Sequence, residues 1–231
     1  MTDLMVAARI APREKFVTIY SGMEVEPFLD SGIHRPRARR QLGYGPEHVV
    51  VGKIARLAPL KGHSDLVQAA GLVVQRSPSV RFLLVGDGVL REAIQRQIAA
   101  AGLAGHFQFT GLVSPERIPE LIAAMDVVVH TSLREGLARV LPQALLAGRP
   151  VVSYDVHGAR EVVIPGETGY LVPPHNIGFL AEALVQLADD PDLRQRQGRG
   201  GRRFVDQFRH QRMTSRVRAV YEILLAGRPS V

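Results

Sequence analysis

The chain has 231 residues, 46% of them hydrophobic, and no cysteine, so a sizeable core is expected, while disulfides and thiolate metal sites are excluded. Its 29 Lys and Arg against 22 Asp and Glu give a net charge of +7. The excess of Arg over Lys favours phosphate-bearing partners, but a solvated basic face is the favoured explanation over a dedicated polyanion surface. Few aromatic residues lie among the basic ones, so no nucleic acid partner is expected. With no apolar run near the roughly 18 residues of a membrane span and no signal peptide, we expect a cytoplasmic protein without a transmembrane segment, peripheral membrane attachment being the alternative.

The first 48 residues show weak periodicity and are predicted to be a lead-in that adds no core. Within them, Phe16–Tyr20 has strand composition, and Ser21 with Gly22 suits a turn after it. The basic run His34–Arg40 is interpreted as an exposed helix start or loop, with a docking patch as the alternative.

From Val49 onwards, short apolar runs alternate with helical patterns. The predicted strands are Val49–Ala55, Arg81–Val85, Phe107–Thr110, Val127–Val129, Val151–Val152 and Gly169–Val172. The predicted helices are Ser64–Gln75, Leu90–Ala101, Pro115–Ala124, one after Glu135, Ile177–Asp189, Asp192–Phe208 and Arg212–Leu225. Nearly all-apolar strands indicate burial on both faces. The pattern predicts an α/β fold with an open, doubly wound parallel sheet of about six strands, helices on both faces and a helical C-terminus.

The stretch Thr131–Ser153 joins a strand end, an acidic turn, a helix of about ten residues and the next strand. Glu135 and Gly136 are predicted at the N-terminus of that helix, where unpaired amides attract an anion. A carboxylate beside an anion site suggests a ligand with both hydroxyl groups and phosphate.

Other loops follow the predicted strands, at the edge where open parallel sheets bind ligands. Arg56 and Lys61 lie five residues apart on the first loop, and their charges suit a diphosphate. Gly86 and Gly88 form a tight turn that would admit a ligand to the backbone, although a generic strand-to-helix turn explains them equally well. The loop that contains Leu112 has backbone groups suited to the edge of a planar base.

Several motifs occur in a fixed order along the chain. They are Tyr20-Ser-Gly22, Glu26-Pro-Phe28, Gly52-Lys-Ile-Ala-Arg-Leu57 with Lys61-Gly62, Val85-Gly-Asp-Gly88, Phe109-Thr-Gly111, Asp126, Glu135-Gly136, Gly148-Arg-Pro-Val-Val152 and Gly166-Glu-Thr-Gly-Tyr-Leu-Val172. With these motifs, the chain resembles the C-terminal, donor-binding half of retaining glycosyltransferase family 4 enzymes, which have two Rossmann-like domains in the GT-B fold.

The resemblance implies roles for individual residues. Arg56 and Lys61 would bind the diphosphate of a nucleotide-sugar donor and stabilise the leaving group, and Glu135 would bind hydroxyls of the donor sugar. The other implied donor-binding residues are Gly86, Gly88, Leu112, Gly136, Leu137, Ala138 and Gln143. The family carries a ribose-binding Glu at position 143; an amide replaces one of its acceptors by a donor, so weaker or altered ribose binding is expected.

The resemblance also predicts the organisation of the chain. Residues 1–48 would be a linker and remnant of a preceding acceptor domain, and residues 49–231 the donor-binding domain. The last helix, Arg212–Leu225, would cross back toward the acceptor domain, which is missing here, so the chain alone would bind donor without efficient turnover. No cofactor or metal is implied, and a UDP-sugar is the favoured donor. The sequence does not identify the acceptor, for which a lipid and a saccharide are the candidates.

Two other functions fit the same motifs. One is a nucleotide-sugar epimerase of the same architecture. The other is a noncatalytic nucleotide-sugar binding or assembly module, which Gln143 and the missing acceptor domain favour.

Overall fold

The computed structural model describes residues 2–226, without the side chains of Leu4, His157, Phe204 and Val205. Its centre is one six-stranded sheet in the order β3-β2-β1-β4-β5-β6, with every neighbouring pair parallel. The strands are β1 (Val49–Ile54), β2 (Val80–Val85), β3 (Phe107–Gly111), β4 (Val127–His130), β5 (Val151–Tyr154) and β6 (Gly169–Val172). The predicted open, doubly wound sheet is confirmed.

Ten α-helices are assigned within residues 2–226. They are α1 (Thr2–Ala7), α2 (Glu26–Leu29), α3 (Arg35–Leu42), α4 (His63–Arg76), α5 (Arg91–Ala100), α6 (Ile118–Ala124), α7 (Val140–Leu146), α8 (Ile177–Asp189), α9 (Pro191–Gly201) and α10 (His210–Ala226). The helical C-terminus is as predicted, except that the helix expected over Asp192–Phe208 ends at Gly201 and continues as a 3-10 turn. In this part of the chain no helix has the length and apolar character that a bilayer crossing requires.

The sheet is buried on both faces because successive side chains of each strand enter different cores. Val51 and Val127 pack with α4, α5 and α8 on one face. Val50 and Val128 pack with α2, α6 and α7 on the other. Because every neighbouring pair of strands is parallel, the carboxyl ends of all six strands lie along one open edge, which is where the predicted loops lie.

The first 48 residues contribute more to the fold than predicted. Val25 and Phe28 are buried in the second core, so the expectation of a lead-in without core is wrong for this part. Their origin in a preceding domain remains a prediction. Phe16–Tyr20 is not a strand either: it belongs to no ladder of the described residues, and strand composition alone supplies no hydrogen-bonding neighbour.

The basic run His34–Arg40 is not simply an exposed surface. It forms most of α3, and Arg39 is buried. Arg35 and Arg39 each contact Asp126, at 2.6 and 2.9 Å, which joins α3 to the start of β4. Burial alone would raise the pKa of Asp126, but Arg35 and the amide of Val50 outweigh it and lower that pKa.

The helix after Glu135 is shorter than expected. It has seven residues and begins at Val140, so Glu135 and Gly136 lie in the preceding loop and the prediction that they form its N-terminus is wrong. The intervening residues turn across the sheet edge before Val140 and Leu141 enter the core. An anion at Glu135 and Gly136 would therefore meet loop amides and not a helix dipole.

Candidate functional site

Two loops at the carboxyl edge of the sheet are fastened together. The β1–α4 loop covers residues 55–62 and the β4–α7 loop covers residues 131–139. Leu133 donates its amide to the carbonyl of Leu60 at 2.8 Å, and the Thr131 hydroxyl donates to the carbonyl of Gly62 at 2.7 Å. Gly62 has φ +63°, and a Cβ there would collide with the carbonyl oxygen of Thr131. The close approach of the loops thus requires glycine at position 62.

These hydrogen bonds between the two loops bring Lys61 and Glu135 together. The two residues are 74 positions apart in the sequence, so the sequence alone does not show that they meet. The Lys61 ammonium forms an ion pair with the Glu135 carboxylate, and Nε2 of His130 lies 3.8 Å from the same carboxylate oxygen. Interaction with His130 and with Lys61 lowers the pKa of Glu135 to about 2. Glu135 is therefore ionised at neutral pH and accepts hydrogen bonds only.

Arg56 lies on the same loop as Lys61, and the glycine turn follows the neighbouring strand β2. The Arg56 side chain is exposed, and no hydrogen bond or ion pair within residues 2–226 occupies it. A Cβ on Gly86 or Gly88 would strike the carbonyl of Ala55 or Leu57, respectively. The missing side chains therefore make room for the neighbouring loop rather than leaving open space for a ligand. Their part in donor binding remains a prediction.

The loop after Glu135 presents unused amides. Among the described residues, no acceptor pairs with the amides of Gly136, Leu137 or Ala138. The carbonyl of Gly136 accepts the amide of Gly158 at 2.9 Å, which fixes this loop to the β5–β6 connection. Three free donors beside one carboxylate suit a ligand with phosphate oxygens and hydroxyl groups.

The two remaining predicted donor-binding residues lie at the margins of the site. Leu112 is 86% exposed. Gln143 is half-buried in α7, and no hydrogen bond of its side chain is present in the described part of the chain. Nothing in the unliganded geometry assigns either residue a contact, so their roles also remain predictions.

Lys53 lies against the candidate site and is not among the residues predicted from the sequence. It lies on β1 with 1% of its surface exposed, and Nζ donates to the Thr131 hydroxyl at 2.6 Å. Burial, followed by the nearby Lys61 ammonium, lowers its pKa to about 7. The sequence does contain a signal for this residue: a lysine lies within a run that otherwise suits a strand buried on both faces. Burying an ammonium is costly, so such a lysine indicates a special role.

Two buried histidines complete the floor of the site. His63 Nε2 lies 2.9 Å from the carbonyl of Arg56, and burial lowers its pKa to about 4. Burial likewise lowers the pKa of His130. Both rings are therefore neutral at pH 7, and His63 donates from Nε2 to the Arg56 carbonyl, which supports the loop that carries Arg56 and Lys61.

A cavity of about 350 Å³ adjoins the site. It lies between the segment 16–21 and the loop residues Gly136, Leu137 and Arg139, and it does not include Arg56, Lys61 or Glu135. Among the described residues, its lining includes Gly136 and Leu137, two of the three residues with free amides. Over residues 2–226, no three His, Asp or Glu side chains are grouped as metal ligands would be.

Several solved structures match nearly the full length of this chain. Anabaena HepE in complex with UDP superposes with a TM-score of 0.87 and 28% identity over 96% of this chain and 61% of that one. The same protein with UDP-glucose gives a TM-score of 0.86 at 28% identity, with the same shares of the two chains covered. Sucrose-phosphate synthase from Thermosynechococcus elongatus gives 0.85 at 26% identity, over 98% of this chain and 57% of that one.

Sequence comparison agrees. Alpha-D-kanosaminyltransferase of Streptomyces kanamyceticus is 33% identical over 172 residues, which are 74% of this chain and 45% of that protein. D-inositol 3-phosphate glycosyltransferase of Streptomyces avermitilis is 29% identical over 95% of this chain and 49% of its own length. The chain thus spans about half the length of these curated relatives. Residues 34–204 match the model of one family, described as glycosyl transferases group 1; the chain belongs to that family.

Proposed function

We propose that this chain is the nucleotide-sugar binding half of a retaining glycosyltransferase, with a UDP-sugar as donor and an acceptor hydroxyl bound by a separate domain. The observation that carries the proposal is the pairing of Lys61 with Glu135 next to the free amides of residues 136–138. One edge of the sheet thus offers a cation, an ionised carboxylate and unpaired donors to a single ligand.

The diphosphate and the sugar of a UDP-sugar each have a counterpart at this edge. The diphosphate binds the Lys61 ammonium and the exposed Arg56 guanidinium. Lys61 supplies a point charge, and Arg56 supplies paired hydrogen-bond donors. The amides of Gly136, Leu137 and Ala138 donate to phosphate or sugar oxygens. Glu135 gives up its ion pair with Lys61 and accepts hydrogen bonds from the sugar hydroxyls, because an ionised carboxylate is an acceptor only.

Donor binding therefore replaces the ion pair between Lys61 and Glu135 with contacts from each of these residues to the ligand, and neither residue changes its charge. In the unliganded chain Glu135 neutralises Lys61; in the complex the diphosphate would neutralise Lys61 and the hydroxyls would satisfy Glu135. A nucleoside diphosphate without sugar would neutralise Lys61 but would offer no hydroxyl groups of a sugar to Glu135. A nucleotide-sugar is consequently expected to bind with contacts that the free diphosphate does not make.

The reaction would be electrostatic and positional on this half of the enzyme. The oxygen of the acceptor hydroxyl forms a bond to the anomeric carbon of the sugar, and the bond from that carbon to the phosphate oxygen breaks. The nucleoside diphosphate departs with the electron pair, and its leaving oxygen takes the proton of the acceptor hydroxyl. Lys61 and Arg56 stabilise the charge that develops on the departing phosphate. Retention of configuration is carried over from the resemblance to family 4.

The similar proteins support the choice of donor and the division of labour. HepE was solved with UDP and with UDP-glucose, which favours UDP as the nucleotide. Since the chain spans about half of its curated relatives, the acceptor site is assigned in this proposal to a domain outside these 231 residues.

Calorimetric titration of the chain with UDP, UDP-glucose, GDP and GDP-mannose tests the proposal. We expect UDP ligands to bind at up to millimolar concentration and UDP-glucose to bind more tightly than UDP. Arg56→Ala with Lys61→Ala should abolish binding, whereas the exposed pair Lys15→Ala with Arg96→Ala should leave it unchanged. Absence of heat with every nucleotide, or equal loss in both double variants, would contradict the proposal.

A further inference from the structure

A second concentration of charge lies at the opposite edge of the sheet. Asp126 immediately precedes β4, and Arg149 lies two residues before β5. In a parallel sheet both positions are at the amino ends of the strands, away from Lys61 and Glu135. The four residues of β4 separate the two edges by about 13 Å at roughly 3.3 Å per residue, so this region is distinct from the proposed donor site.

Positive charge is in excess there. Arg35 and Arg39 share the single carboxylate of Asp126. The carbonyl of Ala123 then accepts from Arg35 at 2.7 Å and from Arg149 at 3.2 Å, which holds a third guanidinium against the first. No carboxylate of the described residues pairs with Arg149, and its buried Nε has no hydrogen-bond partner among them.

Further arginines complete a cleft of about 340 Å³ over Arg149. Arg194, Arg199 and Arg202 line it from α9 and the turn that follows, and Asp126 is the only carboxylate among the described residues that line it. The guanidinium of Arg202 lies 3.7 Å from the point that a Cβ added to Gly148 would occupy, and Gly148 directly precedes Arg149. Burial and the charge of Arg35 lower the pKa of Arg149 to about 10, the effect expected of cations that lack an anion.

We propose that this cleft binds a phosphate group, either of a free phosphate-type anion or of a phospholipid headgroup. Guanidinium groups bind phosphate oxygens through paired donors. A phosphate in the cleft would supply the acceptor that Arg149 Nε lacks and the negative charge that Asp126 alone does not provide. Arg199 and Arg202 are exposed and are available to close over the ligand without a change in the core.

The test titrates the full chain with inorganic phosphate and pyrophosphate while arginine Nε–Hε resonances are recorded by NMR. The parent is the Arg56→Ala, Lys61→Ala variant, so that phosphate binding by the donor clamp does not contribute. We expect the Arg149 and Arg202 resonances, assigned by single Arg→Gln variants, to shift at constant ionic strength. Arg199→Gln with Arg202→Gln, both at exposed positions, should weaken the affinity at least about tenfold, and the exposed control Arg96→Gln should not.

Vesicles distinguish the two sources of phosphate. Cosedimentation with phosphatidylcholine vesicles that contain phosphatidic acid, lost in Arg199→Gln with Arg202→Gln, would identify a lipid headgroup. Shifts with free phosphate and no cosedimentation would identify a soluble anion. Unshifted Arg149 and Arg202 resonances together with no cosedimentation, or equal binding by the Gln double variant, would overturn the proposal. Titration of UDP against the Arg199→Gln, Arg202→Gln variant, with Arg56 and Lys61 native, measures the donor edge alone, so each proposal can fail alone.

Discussion

Replacing Lys53 by methionine is expected to change how the stability of the protein depends on pH. The pKa of Lys53 falls from 10.5 to about 7 in the folded state, and since one pKa unit corresponds to about 1.4 kcal/mol, keeping this ammonium buried and charged costs up to about 5 kcal/mol. Methionine retains much of the side-chain length without the charge. The variant is therefore predicted to be more stable than the native chain at pH 7.

The direction follows from proton binding. Between pH 7 and 10.5 the unfolded chain holds the Lys53 proton and the folded chain has begun to release it, so the stability of the native protein rises with pH in this window. Below pH 7 both states hold the proton and the full destabilisation is present. From pH 7 to pH 9.5 the native chain should gain about 3 kcal/mol relative to Lys53→Met.

Urea unfolding of the two proteins at several pH values from 7 to 9.5 measures this difference, and all other titrations that the proteins share cancel in it. Lys15→Met is the matched control, because Lys15 is exposed. If the gap between the native chain and Lys53→Met stayed constant across the range, the reasoning would be refuted. A constant gap would mean that Lys53 titrates as it does in water.

Three further predictions concern the two edges of the sheet. Asp126→Asn should lower the free energy of unfolding by about 3–5 kcal/mol, because it leaves the buried guanidinium of Arg39 without a carboxylate; an unchanged urea midpoint would contradict the pairing. Gly86→Ala should lower it by more than about 2 kcal/mol, since φ is +132° and Cβ meets a carbonyl, whereas Gly71→Ala, with no atom nearby, should stabilise α4 by up to about 1 kcal/mol. Gln143→Glu should tighten UDP binding in calorimetry by restoring a second acceptor for the ribose; unchanged or weaker affinity would mean that the ribose is held elsewhere.

Local sequence was sufficient for most of the fold. The β-branched run Val127–Val129 and the corresponding runs predict strands because such residues pack well in a buried sheet. Because these runs alternate with segments of helical periodicity, the sequence predicts that the strands are parallel. Phe16–Tyr20 has the same composition but lacks a neighbouring strand within the described residues, so the backbone pairing that defines a strand is not formed.

The site was harder to predict because it depends on contacts across the sheet. The pairing of Lys61 with Glu135 requires two loops to meet, and only Gly62 in the sequence hints at how closely they approach. The helix start at Val140 was misplaced because the loop has no strong N-cap signal: Arg139 precedes the helix without a side-chain cap. Lys53 was readable as a charge in a buried strand, yet its hydroxyl partner Thr131 lies 78 residues away.

The most direct test of the proposed donor site is amide mapping by NMR during a titration with UDP-glucose. We predict that the largest shifts occur at Gly136, Leu137 and Ala138 and at the loop that carries Lys61, and that Glu135→Gln reduces the affinity for UDP-glucose more than that for UDP. Shifts confined to residues outside this edge, or an equal effect of Glu135→Gln on both ligands, would contradict the assignment of Glu135 to the donor sugar.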